Sequence, residues 1–592
     1  MRLVVFLCFL LSFNAFSQED LEAKEYYKNG EFEKALLSYQ KLYKNNPNSN
    51  YFIQLIKSHQ QLEHYNTVEN LLQERLTKIK DPRLFVELGY NFKLKNDTIS
   101  ANVNFNKAID FINQNPNYAY TIGRTFEDHS LLEQAIQVYE KGLELSPNPN
   151  FKLQLARIYG EQGHIEKMFK SYLEFVEINE NETYINSIKR AFNEFISENS
   201  ENENNIMLRK ILLKKIQEEP KLLWNEMLSW LFIQQKDYNK AFVQEKAIFN
   251  RHPESLDRIN ELALVALNDK NYDIAQDIYT YLSETAQELD TKLNAHYNLL
   301  QIETQLATLK DLDAIDTKYQ NLFKTYGKFS QTLQLQIAYA HFLAFNKHLP
   351  KEATTFLKET LQLQLTVIQE AQVKIELADI LVLQEKFNEA LIYYTQIQRS
   401  SKNSTISQEA RYKVARTSFF KGDFKWAESQ LKVLKASTSQ LIANDALDLM
   451  LLITDNKYED STQLGLKLYA KADLMDFQNK PQEAITLLEE ILTQHKGKTI
   501  EDQALFKQAQ LFEKNKQYDK AIKNYRAIIT NFKDDILADD AYYYLAELYN
   551  NILSDPEKAK ENYEQIIFNH QDSIYFVEAR KKFRMLRGDA IN

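Results

Sequence analysis

The chain has 592 residues, with 72 Lys and Arg against 82 Asp and Glu, a formal net charge of −10. That balance, with no basic stripe to override it, excludes a nucleic-acid binder driven by phosphate contacts, which needs a concentrated cationic surface. The 11 glycines are under a third of the roughly 7 % average, which argues against folds built on phosphate loops or tight strand turns that draw on glycine for positive φ.

In chain order, the first element is a predicted leader. Met1-Arg2 is a short positive start, Leu3 to Phe13 is apolar, and Asn14-Ala15-Phe16-Ser17 offers a cleavage site before Gln18. The sole cysteine, Cys8, lies inside the apolar run rather than after it, so lipidation there is not expected. Removal of 1–17 leaves a chain with no cysteine, hence no disulfide or thiol chemistry. The expected compartment is the periplasm of a Gram-negative cell, either free or peripheral to the outer membrane. No later stretch approaches the ~18–20 apolar residues of a membrane span.

From residue 18 onward, runs rich in Leu, Ala, Glu, Lys, Gln and Tyr between few breakers predict helix throughout. A pattern recurs around Ala35, Ala101, Ala135, Ala241 and Ala275. A small residue stands twelve before each of them, and an aromatic or large apolar residue usually stands nine before and four after. Ala101 to Ala135 and Ala241 to Ala275 are each 34 residues. The C-terminal half continues with the pairs Ala378/Ala390, Ala415/Ala427, Ala472/Ala484, Ala509/Ala521 and Ala546/Ala559, at a longer spacing of 37 to 38 residues. Residues 48–80, 150–185 and 285–330 keep helical periodicity but lose the alanines; Met168 stands near where one is expected. A helix-turn-helix unit cannot bury its apolar face alone and must stack on its neighbours.

Ala23, Tyr26, Gly30, Ala35, Tyr39 and Pro47 in the first unit, Gly123, Phe126, Ala135, Tyr139 and Pro147 in another, and Leu228, Ser229, Phe232, Tyr238, Ala241 and Pro253 in a third resemble the tetratricopeptide repeat family. The resemblance implies an all-α, right-handed superhelical solenoid of roughly a dozen units. The small residues let the two helices of a unit approach closely, and the aromatics fill the space between units. The longer C-terminal spacing, with Tyr525 and Tyr563 four after the alanine, resembles periplasmic members that act in outer-membrane assembly and cell-envelope coordination.

Composition divides the chain into a leader (1–17), an N-terminal array (18–196), a polar acidic hinge (197–205, SENSENENN), a partly degenerate middle array (206–400) and a C-terminal array (401–592) ended by a basic capping helix over Phe576 to Leu586.

No H-E-x-x-H, G-x-S-x-G, Walker or G-x-G-x-x-G motif is present. His59 and His64, five apart, are expected on different helix faces. Arg587-Gly588-Asp589 reads as a chance tripeptide. No catalytic residue, cofactor or metal site is predicted. In the resembled family the concave surface is made by the first helix of each unit. Carrying that frame over places Tyr120, Arg124, Trp230, Tyr469, Asp473, Asp476, Phe506, Glu513, Tyr543 and Glu547 there. Aromatics beside charge suit peptide recognition, and the acids of the last three units would favour a cationic segment of a partner. The Lys and Asn of the family's carboxylate clamp are missing, so an acidic tail is not the expected ligand.

The function expected is therefore a non-enzymatic scaffold or adaptor for envelope proteins, of the outer-membrane or cell-wall machinery. Two alternatives are a component of a polysaccharide-export or secretion complex, and a glycan-binding accessory subunit of a cell-wall enzyme. Self-association is left open.

Overall fold

The computed structural model describes residues 19–402, 404–434, 440–457 and 462–589. The expected leader, with Cys8, lies outside them. Among the described residues the secondary structure is helical, with no strand, and no helix is long and apolar enough to cross a membrane.

The chain divides into two compact units, 1–252 and 253–592. In the first, antiparallel hairpins run from residues 19–28 with Phe32–Asn45 to Leu222–Gln234 with Tyr238–Arg251. In the second they run from Asp257–Asn268 with Tyr272–Thr285 to Ala538–Asn551 with Pro556–Asn569, followed by the single helix Phe576–Arg587.

The small residues do what their spacing predicts. Ala23, Ala35, Ala135, Ala241, Ala263 and Ala275 are fully buried, as are Ala378, Ala390, Ala415, Ala427, Ala509 and Ala521. Glycine at such a position makes room for a ring: a Cβ on Gly89 would meet Phe105, and one on Gly123 would meet Tyr139. The degenerate segments are hairpins as well: Ser49–Gln61 with Tyr65–Lys78, Pro149–Glu161 with Ile165–Ile178, and Leu289–Leu306 with Leu312–Tyr326. Where Met168 replaces an alanine it is buried, and Gly160 on the facing helix compensates, since a Cβ there would lie 2.9 Å from the Met168 sulfur.

Most hairpins turn through a left-handed residue just past the first helix. Gly30, Gly163 and Gly422 serve at three turns, at φ 79°, 75° and 82°, but Glu63, Asn96, Ser130, Lys236, Lys270, His348, Glu385, Asn479, Lys516 and Ser554 take the same conformation at others. The following amide reaches back to close the helix end, as Asp97 does to the Phe92 carbonyl (2.9 Å) and Gln517 to the Phe512 carbonyl (2.8 Å). This fold back also corrects the reading of His59 and His64. The helix ends at Gln61, and the left-handed Glu63 returns the chain so that the two Nδ1 atoms lie 3.3 Å apart.

The polar segment 197–205, expected as a hinge, is stitched by hydrogen bonds. Asn205 is fully buried, and its amide donates to the Ser197 and Asn199 carbonyls (2.7 Å each), while Asn204 donates to the Phe195 carbonyl (2.8 Å). Polar residues without apolar neighbours pack here by hydrogen bonding the loop's own backbone. The division between compact units falls later, after His252.

Candidate functional site

The first helices of the hairpins carry the charged and aromatic residues that the sequence frame singled out. In the first unit, Tyr120 is 45 % exposed on Ala119–Asp128. Arg124, half-buried one turn on, pairs with Glu127 at 3.3 Å, and Arg157 of the next hairpin pairs with the same carboxylate. Trp230 is half-buried, its ring 6.2 Å from Phe192; Trp224 on the same helix is fully buried beneath Lys215.

In the second unit four expected surface anchors sit differently. Tyr469 is buried, because its helix, Leu464–Phe477, packs against both Thr405–Phe420 and Ile500–Lys514. Phe506 spends its ring against Tyr525 (5.9 Å) and Tyr544 (5.5 Å). Tyr543 stacks on Tyr575 at 4.0 Å with Lys582 over its face. Glu547 accepts from Lys582 (2.6 Å) and from the Tyr563 hydroxyl.

The acids expected to attract a cationic partner are for the most part already neutralised. Lys507 lies between Asp473 (3.0 Å) and Asp476 (2.8 Å); Lys514 adds a contact to Asp476 (3.2 Å), and Arg416 one to Asp473 (3.5 Å). Burial alone would raise the Asp476 carboxyl, but Lys507 and Lys514 outweigh it and hold it below its ordinary value. Glu513 accepts from the Tyr525 hydroxyl, and burial raises its pKa. The pattern is a ladder: Lys413 reaches Asp379 across 34 residues, Lys507 reaches Asp473 across 34, and Lys582 reaches Glu547 across 35. The sequence reading missed these cations, although one repeat length between acid and base was a usable signal. His341 joins the ladder through Glu376 (2.9 Å); burial opposes its charge, but Glu376 with Asp379 behind it raises its pKa.

Buried tyrosines of the second helices brace the same acids from behind. Tyr139 donates to Glu127 (2.5 Å), and Tyr394 donates to Asp379. Burial first, and the carboxylate second, push the Tyr139 hydroxyl well above its usual range.

Inside the second unit some contacts join helices that are not sequence neighbours. Phe345 meets Phe477 edge-on at 5.7 Å, Phe420 lies 6.0 Å from Phe477, and the Arg416 guanidinium covers both Phe420 and Phe477. The Gln478 amide donates to the Leu383 carbonyl and to Glu385, both at 3.1 Å and more than 90 residues away in sequence. Contacts that skip a hairpin in this way were not foreseen from the repeat spacing.

Family models described as tetratricopeptide repeat match residues 116–149 and 150–182 in the first unit, and 503–535 and 540–573 in the second. The chain thus carries tetratricopeptide repeats at both places. Among solved structures, a Naa15/Naa10 complex bound to HypK-THB pairs with it at 11 % identity over 97 % of each chain, with a TM-score of 0.29. The APC/C hetero-tetramer Cut9-Hcn1 pairs at 12 % identity over 97 % of this chain and 98 % of that one, with a TM-score of 0.23. No curated protein matches the chain.

Proposed function

We propose that this protein is a non-enzymatic scaffold of the cell envelope, holding partner proteins along the first-helix faces of its repeats. The observation that carries the reading is the set of tetratricopeptide repeats in both compact units, an architecture suited to long protein-binding surfaces. Exposed Tyr120 and half-buried Trp230, set beside charge, supply residue types that anchor interfaces. The envelope location rests on the Met1 to Ser17 pattern of a short positive start, an apolar run and a small-residue cleavage site. Outer-membrane or cell-wall assembly is the process this location and repeat type favour.

The test is affinity purification of the chain after cross-linking in its native envelope, with mass spectrometry of what is retained. Enrichment of an outer-membrane barrel, a lipoprotein or a cell-wall hydrolase is the expected result. Recovery of the chain alone, or only with itself, would overturn the scaffold reading.

A further inference from the structure

Among the described residues, Gln440–Asn456 interrupts the alternation of paired helices. It follows Phe424–Leu434, yet the next helix, Leu464–Phe477, turns back with Pro481–Gln494 and packs on Thr405–Phe420. Among the described residues no returning helix pairs with Gln440–Asn456. It buries Ala446, Leu449 and Ile453, packs half-buried Ile442, Met450 and Leu452 beside them, and leaves Leu441 78 % and Leu447 41 % exposed, with Asp445 and Asp448 exposed as well. A lone helix with this much apolar surface beside its acids is a half-repeat.

Three acids, Asp445, Asp448 and Asp473, and one cation, Arg416, act electrostatically on Tyr412 beside it. Asp448 acts electrostatically on both Tyr412 and Asp540, and Asp445 acts on Tyr412, so these residues of three different helices share one space. The Tyr575 hydroxyl donates to Asp540 at 3.0 Å. Asp502, on Ile500–Lys514, is buried and accepts a hydrogen bond from the adjoining Gln503 amide. Burial, reinforced by neighbouring carboxylates, pushes Asp502 and Asp540 up to about 6. Among the described residues no lysine or arginine pairs with Asp445, Asp448, Asp502 or Asp540. Elsewhere on the ladder Asp473, Asp476 and Glu547 each have a cation.

We infer that the open flank of Gln440–Asn456 receives a cationic amphipathic helix of a partner protein, which takes the place of the missing returning helix. Its leucines would cover Leu441 and Leu447, and its Lys or Arg side chains would reach Asp445, Asp448 and Asp540. Charge complementarity selects this occupant: an acidic or uncharged helix would leave the carboxylates facing one another uncompensated. The inference rests on the scaffold reading and specifies one of its binding sites.

The probe is a synthetic amphipathic helix with leucines at helical spacing flanked by lysines, titrated into the full-length chain by fluorescence anisotropy. Binding should weaken at least about tenfold in the exposed Asp445→Lys/Asp448→Lys variant, and should also weaken as salt is raised. A peptide with glutamates in place of the lysines should not bind. Equal affinity for the double variant, or for a peptide of the same composition scrambled out of helical spacing, overturns the inference. Far-UV circular dichroism establishes that the variant remains folded, and Leu441→Asp tests the apolar half of the flank independently. In native envelopes, a photo-cross-linking residue at exposed Asn444 is compared with one at Tyr120. Capture of a partner at 444 supports the site. Capture at 120 alone, or a self-cross-link at 444, overturns it while leaving the scaffold reading standing; capture at neither overturns both.

Discussion

Gly123→Ala tests the packing logic of the repeat most directly. Gly123 lies on Ala119–Asp128 against the ring of Tyr139, which is fully buried, tilted over Phe151 at 5.7 Å and hydrogen-bonded to Glu127. A Cβ at 123 would lie well inside van der Waals contact of ring atoms Cε1 and Cζ, and 2.8 Å from the hydroxyl. The ring has no open side to move toward. Overpacking of this kind costs about 1–3 kcal/mol, and shifting the hydroxyl off Glu127 adds about 1.5–3 kcal/mol for a bond to a charged group. The helix propensity of alanine returns about 1 kcal/mol. The expected net loss is about 1.5–5 kcal/mol, confined to the hairpin 119–145 and its neighbours. Because a repeat array melts locally, the assay is native-state hydrogen exchange read on peptides covering 119–145. Tyr139→Leu in the Gly123→Ala background should recover part of the loss, giving a favourable coupling in a double-mutant cycle. Unchanged or increased protection in Gly123→Ala would refute the claim that this position is glycine because of the ring.

Three further outcomes follow from the geometry. Asp502→Asn should raise the melting temperature at pH 7.5. The wild-type carboxyl, raised from its ordinary 3.8 to about 6, carries its full charging cost above pH 6, worth up to about 3 kcal/mol. That cost fades as pH falls through 6 toward 3.8, so the variant's advantage should shrink by pH 5; a pH-independent difference would contradict the assignment. Lys516→Gly, at φ 58°, should stabilise its hairpin by about 1 kcal/mol, since the left-handed conformation costs a side chain roughly that much; chemical denaturation that finds a loss would argue that the Lys516 side chain matters more than its backbone. Gln478→Ala should remove the bonds to Leu383 and Glu385 at a cost of about 1–2 kcal/mol, with faster amide exchange around 383–385 as well as around 478. Faster exchange at 478 alone would mean the long-range bonds carry no weight.

The fold was legible in the sequence because its determinants are local and periodic: small residues in pairs twelve apart, as at Ala23 and Ala35, oblige two helices to touch. Scarcity of glycine was a poorer guide. It excluded other folds, but the left-handed turns exist all the same, held by residues such as Glu63, Lys236 and Lys516. Met168 masked a repeat because the lost volume was restored on a different helix, at Gly160. The helix Gln440–Asn456 left no mark, since its buried Ala446 has no partner twelve residues away to pair with. The candidate site was the least legible part. Exposure of an acid depends on what stands one repeat later: Asp473 and Asp476 meet Lys507, whereas Asp448 and Asp540 meet no such cation among the described residues. Tyr469 was buried, and Phe506 half-buried, by aromatic and helical neighbours that sequence spacing does not order.

The bridge from Gln478 to Leu383 and Glu385 changes how the second unit would yield to force. An array whose hairpins touch only their neighbours peels from its ends, one hairpin at a time, in a regular sawtooth. Here the turns at 383–385 and 478 are tied together, and Phe345, Phe420 and Phe477 interlock beside the tie. Tension applied at the C-terminus would meet a mechanical clamp at that point, and the chain enclosed by it would come free as one long step rather than as several short ones.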